Sequence, residues 1–535
     1  MDTTYDGIII GAGHNGMILA AYLGKAGLKV LTIERKSVTG GGLSTLEDPR
    51  HPGFLHNIHA FFQRAITNMP WYTDLELERH GAHYIEPDLN VALLTRDNAV
   101  LGWWTDIERT AKSFEQFSPK DADTLRRWHH EFVPIVQNIL SWEAKAPPLP
   151  LEQRRRLLER SAAGRRLLEV SSRSPLEFVQ EEFEHPTVRA GLLFFNGLRE
   201  VDLRVRGFGH HIAALLASPA KAQISRGGTA ALARALDATV RESGGEFRLV
   251  TEPKRIVVEK GRAVGIETTD GELIRATQFV ASSLNPHQTF LNLLDASLVP
   301  KSLRDQVNNF QYNLLAPLFA LHLNLHEAPR YAASTRHPEL QRALMVIMGL
   351  DHFDQFGDIL RHHEQGTIPP TAMWGACPTS LDPSQAPAGK HTGFMWEKLP
   401  YRLKGNPDWS GVGDGHGKKM LELWQTHAPN LADAVIDSFT RTPMDTERSL
   451  PNMREGDLLV GAFTNGQIGD HRPFPGAGTY RAHLPGLYIC GSSSHPGGNI
   501  TGLPGYNAAQ IILADLGIKA DWVPPPIEEH LSRLD

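Results

Sequence analysis

The fold of this 535-residue chain is decided by the stretch DGIIIGAGHNGMILAAYLGKAGLKVLTIE, residues 6–34. Its apolar runs and glycines predict a strand, a helix and a second strand, at residues 6–10, 17–26 and 29–33. A G-x-G-x-x-G turn joins the first strand to the helix, and Glu34 follows about 20 residues later, as a dinucleotide-binding unit requires. We therefore predict a Rossmann-type domain at the start of the chain.

The glycines of this turn have separate expected roles. Gly11 allows the tight turn, Gly13 lets the backbone approach a pyrophosphate, and Gly16 lets the helix pack closely on the strand. Glu34 is expected to accept hydrogen bonds from the ribose of an adenosine. Since glycines in a loop are often turn chemistry alone, the prediction depends on the full strand, turn, helix and strand context.

A second strand, loop and helix lie near the end of the chain. Residues 487–491 predict a strand, a Gly/Ser/Pro-rich loop containing His495 follows, and a helical run starts at Tyr506. The unpaired N–H groups and the dipole at a helix start favour an electron-rich ligand. We expect this stretch to complete the site that the N-terminal turn begins.

Composition excludes several classes of function. The chain has 54 Lys+Arg against 60 Asp+Glu, a net charge of -6, so nucleic acid is not an expected partner. Its two cysteines, Cys377 and Cys490, are too few for a disulfide framework and fit a reducing compartment. The histidine pairs at 129–130, 210–211 and 362–363 do not form an H-E-x-x-H motif, so we predict no metal site.

The chain has no run of roughly 18 apolar residues, and its start lacks the basic region of a signal peptide, so we predict a cytoplasmic protein. Residues 151–170 alternate arginines with leucines. A solvated outer face is the preferred interpretation of this segment, and peripheral contact with a membrane is the alternative. Because an apolar helix face serves a core or an interface equally well, homo-oligomer formation stays open.

The positions of the glycine-rich turns and the changes in residue pattern predict two domains, each made of segments that are not consecutive in the chain. The nucleotide-binding domain is expected to comprise 1–70, 219–284 and 442–535, with a meander of short strands over 247–268. The substrate domain is expected to comprise 71–218, read as mostly helical, and 285–441, with strands near 317–324, 343–350, 371–378 and 391–399. Trp374, Trp396 and Tyr401 are candidates for lining a substrate cavity, although aromatic residues in strands are more often core.

Taken together, these motifs resemble those of the phytoene-desaturase-like flavoproteins, in the branch of the pyridine nucleotide-disulphide oxidoreductase domain-containing proteins and carotenoid-ketolase-like enzymes. The resemblance covers essentially the whole chain and is carried by residues 11–16, 34–35, 41–42, 226–228, 285–287, 381–383, 472–473, 485–491, 495–498, 502 and 505. It implies an α/β fold of monoamine-oxidase-like topology, in which a discontinuous Rossmann-type FAD domain carries an inserted α+β substrate domain.

The same resemblance implies a set of FAD contacts. The turn glycines would face the pyrophosphate, Glu34 the ribose, and Lys254 the adenine through its backbone. The complete set implied for the cofactor is Gly11, Gly13, Gly16, Glu34, Arg35, Gly41, Gly42, Lys254, Gly491, Ser492 and Gly502. Asn499 departs from the family, whose members often have glycine there, and it adds a polar amide near the flavin. This departure argues against assuming a carotenoid substrate.

The predicted function is an FAD-dependent dehydrogenase, desaturase or oxidase that takes a hydride from a hydrophobic or aromatic small molecule. Since the meander contains no second G-x-G-x-x-G for a nicotinamide cofactor, reoxidation by dioxygen or a quinone is favoured. His59 and His495 are candidate bases on position alone. A flavin-dependent isomerase and a non-catalytic flavoprotein that acts as a binding or assembly factor are the alternatives.

Overall fold

The computed structural model describes residues 4–196, 201–218, 222–406 and 408–534. The strands in these ranges are β1 Thr4–Ile10, β2 Val30–Ile33, β3 Thr45–Glu47, β4 Leu55–Asn57, β5 Gln63–Arg64, β6 Tyr84–Ile85, β7 Leu89–Leu94, β8 Val100–Trp104, β9 Ala222–Ser225, β10 Glu246–Arg248, β11 Pro253–Glu259, β12 Arg262–Thr268, β13 Leu273–Ser282, β14 Leu318–Leu325, β15 Met345–Met348, β16 Met373–Ala376, β17 His391–Lys398, β18 Val435–Arg441 and β19 Leu487–Ile489.

The α-helices are α1 His14–Lys25, α2 Pro70–Asp74, α3 Ile107–Glu115, α4 Pro119–Ile135, α5 Ser141–Ala144, α6 Leu151–Leu158, α7 Ala162–Ser171, α8 Pro175–Glu182, α9 Pro186–Asn196, α10 His211–Ala217, α11 Ala230–Glu242, α12 Lys301–Asn308, α13 Asp354–Gln365, α14 Gly413–His427, α15 Leu431–Ala434, α16 Pro443–Ser449, α17 Leu503–Asp515 and α18 Ile527–Ser532. Short π-helical turns occur at Val136–Leu140 and His287–Asn292.

The first large sheet has the strand order β10-β2-β1-β13-β12-β11, and β19 also pairs with β13. The strands β10, β2, β1, β13 and β19 run parallel to one another. The remaining two strands, β12 and β11, form an antiparallel edge. Helix α1 packs against both α11 and α17 and is almost wholly buried, which explains why its sequence is apolar on every side. The predicted strand, turn, helix and strand at the N-terminus are confirmed.

The second large sheet has the order β18-β14-β17-β16-β15-β7-β8. This sheet contains strands from two separate segments of the chain, residues 71–218 and 285–441. The two segments meet where β7 pairs in parallel with β15. The reading of residues 71–218 as mostly helical was therefore incomplete, since β7 and β8 lie within it. Their sequences, LNVALL and VLGWW, are typical of buried strands. The strand pattern was overlooked because helical patterns dominate the rest of this segment.

Another correction concerns β10. We predicted residues 247–250 as part of a meander with the two following strands, but β10 pairs in parallel with β2 at the opposite edge of the first sheet. Pairing partners are not encoded in local periodicity, and a short run such as EFR fits either edge.

The arginine-rich segment forms α6 and α7. Arg154 pairs with Glu143 at 2.6 Å, and Arg166 pairs with Glu131 and, at 3.0 Å, with Glu169. Two of its cations thus already have acidic neighbours within the protein. Among the helices in the described ranges, none combines the length and apolarity that crossing a bilayer demands.

Candidate active site

A cavity of about 290 Å³ lies at the carboxyl ends of β1 and β2, the place where open α/β sheets bind ligands. Its wall contains Ile10 and Ile33, the last residues of the two strands, and the turn that follows β1. The further lining residues that matter here are Gly11, Gly13, His14, Asn15, Gly16, Glu34, Arg35, Gly41, Gly42, Lys254, Met453, Leu458, Ser492, Asn499 and Ile500.

The glycines of the turn form a cradle that is closed on one side and open on the other. A Cβ atom on Gly16 would collide with the carbonyl oxygen of Gly11, and one on Gly41 would stand 3.2 Å from the Cα atom of Gly13. A Cβ atom on Gly13 would meet nothing within 4 Å. The backbone at Gly13 therefore borders free space, as required where a pyrophosphate approaches it.

Polar groups surround this cradle. The Glu34 carboxylate accepts hydrogen bonds from the backbone N–H groups of Ala12 and Lys36, both at 3.0 Å, which uses part of its acceptor capacity. Asn15 donates through Nδ2 to the Ser492 hydroxyl at 3.2 Å, while its Oδ1 has no partner among the described residues. The wall thus has buried polar atoms left for a ligand, and its residues fit a dinucleotide.

A second cavity, of about 230 Å³, adjoins the first. It is lined by Gly42, His59, Ala60, Phe61, Phe62, Gln63, Arg64, Leu215, Ala316, Leu318, Trp374, Trp396, Lys398, Met453, Leu458, Leu459, Asn499, Ile500 and Thr501. Five of these residues also line the first cavity: Gly42, Met453, Leu458, Asn499 and Ile500. A dinucleotide in the first cavity would therefore adjoin a second space whose wall includes the aromatic rings of Phe61, Phe62, Trp374 and Trp396.

Asn499 stands where the two cavities meet, and its backbone has a conformation that suits glycine. Its φ of 73° lies in the left-handed region, which glycine adopts freely and which asparagine tolerates better than most other residues. Asparagine can therefore replace glycine without reshaping the loop while adding an amide to the boundary.

The two candidate bases differ in position. His59 lines the second cavity, and burial, with Arg441 and Lys36 nearby, lowers its pKa to about 3. His495 is absent from the lining of both cavities, and its Nε2 lies 2.9 Å from the carbonyl oxygen of Glu143. This contact holds the loop before α17 against α5, and a chemical role for His495 stays a prediction.

The remaining residues predicted to contact the cofactor also differ in whether they line a cavity. Arg35, Lys254 and Ser492 line the first cavity, whereas Gly491 and Gly502 do not. A Cβ atom on Gly491 would collide with the backbone of Ser283, and one on Gly502 would collide with side chains of the surrounding core. These two glycines are therefore needed for close packing, and their contact with the cofactor stays a prediction.

Two of the three aromatic residues predicted to line a substrate cavity do line a cavity. Trp374 and Trp396 both line the second cavity, in register on β16 and β17. Tyr401 does not, because it lies beyond the end of β17 and its hydroxyl donates to Glu447. Gln63 and Lys398 also line this cavity and were missed. The available signal for Lys398 was a charged residue at the end of a strand that also carries the aromatic residues of FMW.

Asp457 and Arg472 are a second feature that was missed, and they contact the chain beside residues that line the cavities. Both are fully buried. Arg472 donates to the carbonyl oxygens of Gly461, Ala462, Gln467 and Ser492, and Asp457 accepts from the N–H groups of Asn313, Leu459 and Gly461. These bonds hold the segment that contributes Leu458 and Leu459 to the cavity walls.

One group of potential metal ligands lies away from both cavities. Asp48, His51 and Asp437 bring ligand atoms within 4.8 Å of one another. Asp437 pairs with Arg50 at 2.9 Å, and Asp48 accepts a hydrogen bond from Asn324 at 2.8 Å. Both carboxylates therefore already have partners within the protein, and we propose no metal ion at these three residues.

Comparisons with known proteins agree with this geometry. Residues 9–71 match the family described as NAD(P)-binding Rossmann-like domain. The chain is 30% identical to one of the limonene dehydrogenase subunits of Castellaniella defragrans, over 97% of this chain and 96% of that protein. It is 29% identical to pyridine nucleotide-disulfide oxidoreductase domain-containing protein 2 of Rattus norvegicus, over 96% and 94%. A lycopene-forming phytoene desaturase of Paracoccus is 23% identical, over 95% and 97%.

Among solved structures, cyclohexylamine oxidase from Brevibacterium oxydans superposes with a TM-score of 0.60 at 17% identity, over 96% of this chain and 99% of that one. At this identity the likeness shows the fold alone. It confirms the monoamine-oxidase-like α/β architecture expected from the sequence.

Proposed function

Because the chain belongs to the FAD-dependent oxidoreductases related to limonene dehydrogenase and phytoene desaturase, we propose that it dehydrogenates a hydrophobic or aromatic small molecule. The observation that carries this proposal is the shared wall of the two cavities. A cofactor site built on the dinucleotide turn adjoins a cavity lined by Phe61, Trp374 and Trp396.

We also propose that the chain divides as the sequence predicts, with 1–70, 219–284 and 442–535 forming the FAD domain and 71–218 and 285–441 the substrate domain. Support comes from the second sheet, which combines β7 and β8 of one insertion with β14 to β18 of the other. The first sheet draws its strands from the remaining segments.

In this proposal the first cavity binds FAD along Gly13, Glu34, Gly41 and Gly42, with Arg35, Lys254 and Ser492 completing its wall. When bound, FAD supplies a two-electron acceptor for a hydride from a substrate C–H bond and passes the electrons to dioxygen or a quinone. The side chains around the shared wall orient the substrate, and the apolar ones exclude water.

The proton that leaves with the hydride needs a separate route. His59 is the titratable imidazole in the wall of the second cavity and so the side chain whose fitness for this role is considered first. Its low pKa means that the ring is neutral at physiological pH and a weak base. His59 is therefore better suited to holding the substrate by a hydrogen bond than to driving the reaction by strong base catalysis.

The test is an anaerobic absorbance scan of the purified holoenzyme with hydrophobic alcohols, acids, amines and hydrocarbons added in turn, followed by air. Bleaching of the flavin bands by at least one compound is the expected result. Rapid recovery in air identifies dioxygen as the acceptor, and slow recovery that a quinone accelerates identifies a dehydrogenase. Bound flavin that no compound bleaches would favour the isomerase or the non-catalytic alternative, and purified protein without flavin would contradict the proposal outright.

A further inference from the structure

We propose that the substrate carries a carboxylate or another anionic oxygen group, which Lys398 and Gln63 bind at the wall of the second cavity. The inference rests on the proposed function and narrows its substrate class. It separates this chain from an enzyme for a bare hydrocarbon or for an amine.

The first argument is the charge of the wall. Among the described residues that line the second cavity, Lys398 and Arg64 carry basic side chains, and none is acidic. Lys398 is 4% exposed, and its ammonium donates to the carbonyl oxygen of Leu315. An ammonium group on a substrate would bring like charge beside Lys398 in a poorly solvated space, where charges interact more strongly than in water. An anionic group would instead be attracted.

The second argument is a set of buried polar atoms. Gln63 is 2% exposed, and neither its amide oxygen nor its amide nitrogen has a partner among the described residues. The indole N–H groups of Trp374 and Trp396 are likewise without partners there. Buried donors without acceptors cost free energy. A hydrocarbon substrate would leave all three donors unsatisfied, whereas an oxygen group has lone pairs to accept from them.

The third argument concerns the rest of the substrate. The rings of Trp374 and Trp396 lie 6.2 Å apart in an edge-to-face arrangement, and Phe61 lies 5.5 Å from Trp396. These rings provide the apolar contact that a ring or a short chain needs. The wall shared with the first cavity, at Asn499 and Ile500, then lets that apolar part reach the cofactor side. The combination fits an amphipathic acid.

The experiment compares three probes with the same body and different heads: 4-isopropylbenzoate, 4-isopropyltoluene and 4-isopropylbenzylamine. Binding to the FAD-loaded protein is measured by quenching of tryptophan fluorescence and by perturbation of the flavin spectrum, neither of which requires turnover. We expect the benzoate to bind at least ~10-fold more tightly than the other two, as charge-assisted hydrogen bonds imply.

Two variants and one control locate the effect. Lys398→Met and Gln63→Leu should each weaken benzoate binding, by ~10-fold or more for the lysine, and change binding of the toluene little. Lys301→Met, at an exposed residue at the start of α12, removes a positive charge away from the cavity and should leave all three affinities unchanged. Gln63→Leu alters no charge, so it tests the site independently if Lys398→Met does not fold.

The outcomes separate the two proposals. Protein that carries no flavin contradicts the proposed function and removes the basis of this inference. Flavin-loaded protein that binds the toluene or the amine as tightly as the benzoate, or that binds none of the three, overturns the inference alone. A benzoate preference that survives in both Lys398→Met and Gln63→Leu overturns it as well.

Discussion

Replacing Gly13 by alanine separates the role of the dinucleotide turn in binding from its role in the fold. Gly13 has φ of -72° and ψ of 168°, an extended conformation that any residue adopts. The added methyl group would meet no protein atom within 4 Å. The stability of the protein without cofactor should therefore stay within about 0.5 kcal/mol of that of the unchanged protein.

The same methyl group would enter the space in which we place the pyrophosphate. Overpacking by one methyl group costs about 1–3 kcal/mol in a filled site. That range corresponds to FAD binding that is about 5- to 140-fold weaker. Gly16→Ala is the matched control, because its methyl group would collide with the Gly11 carbonyl oxygen whether FAD is bound or not. This variant should lose about 1–3 kcal/mol of stability even without cofactor.

The assay has two parts, urea unfolding of the apoprotein and titration of the refolded apoprotein with FAD, followed by flavin fluorescence. Gly13→Ala should be as stable as the unchanged protein in urea but should bind FAD more weakly. Gly16→Ala should already be less stable in urea. If Gly13→Ala bound FAD with unchanged affinity, our placement of the cofactor along this turn would be refuted. If both apoproteins were equally stable, the collision at Gly16 would be refuted.

Three further predictions follow from the site. Glu34→Gln should weaken FAD binding by ~10-fold or more in the same titration, because hydrogen bonds to a charged acceptor contribute about 1.5–3 kcal/mol; unchanged affinity would exclude a ribose contact. Since the pKa of His59 is lowered to about 3, the unfolded chain binds more protons between about pH 3 and 6.5, so stability falls as the pH drops through this window. His59→Gln should make that slope shallower in urea unfolding between pH 4.5 and 7 and leave the pH profile of kcat/KM unchanged from pH 6 to 8; an inflection near 6.5 that disappears in the variant would show that His59 titrates as a base. Arg472→Met should cost about 3–5 kcal/mol in urea unfolding at neutral pH, because it leaves several buried carbonyl groups without donors and removes the positive charge that acts on buried Asp457; a loss below about 1 kcal/mol would mean that these bonds contribute little.

Local sequence was sufficient for the cofactor half of the site. Gly11, Gly13, Gly16 and Glu34 lie within one strand, turn, helix and strand unit, and the backbone conformation of each depends mainly on its neighbours in the chain. The structure places all four in the wall of the first cavity, and their contact with a cofactor stays a prediction. For Gly491 and Gly502 the sequence is not sufficient, because a glycine needed for close packing and a glycine needed for a ligand look alike in sequence.

The tertiary structure alone decided the substrate half. The wall of the second cavity combines residues from the segment near 60, from β16 and β17, and from the loop before α17, and no local pattern links such distant stretches. The sequence by itself determined the Rossmann turn, the cofactor class and the order of the segments, since these depend on short-range backbone geometry. Only the folded chain brought Gln63, Lys398 and the two tryptophans into one wall, because strand pairing and burial act between residues hundreds of positions apart.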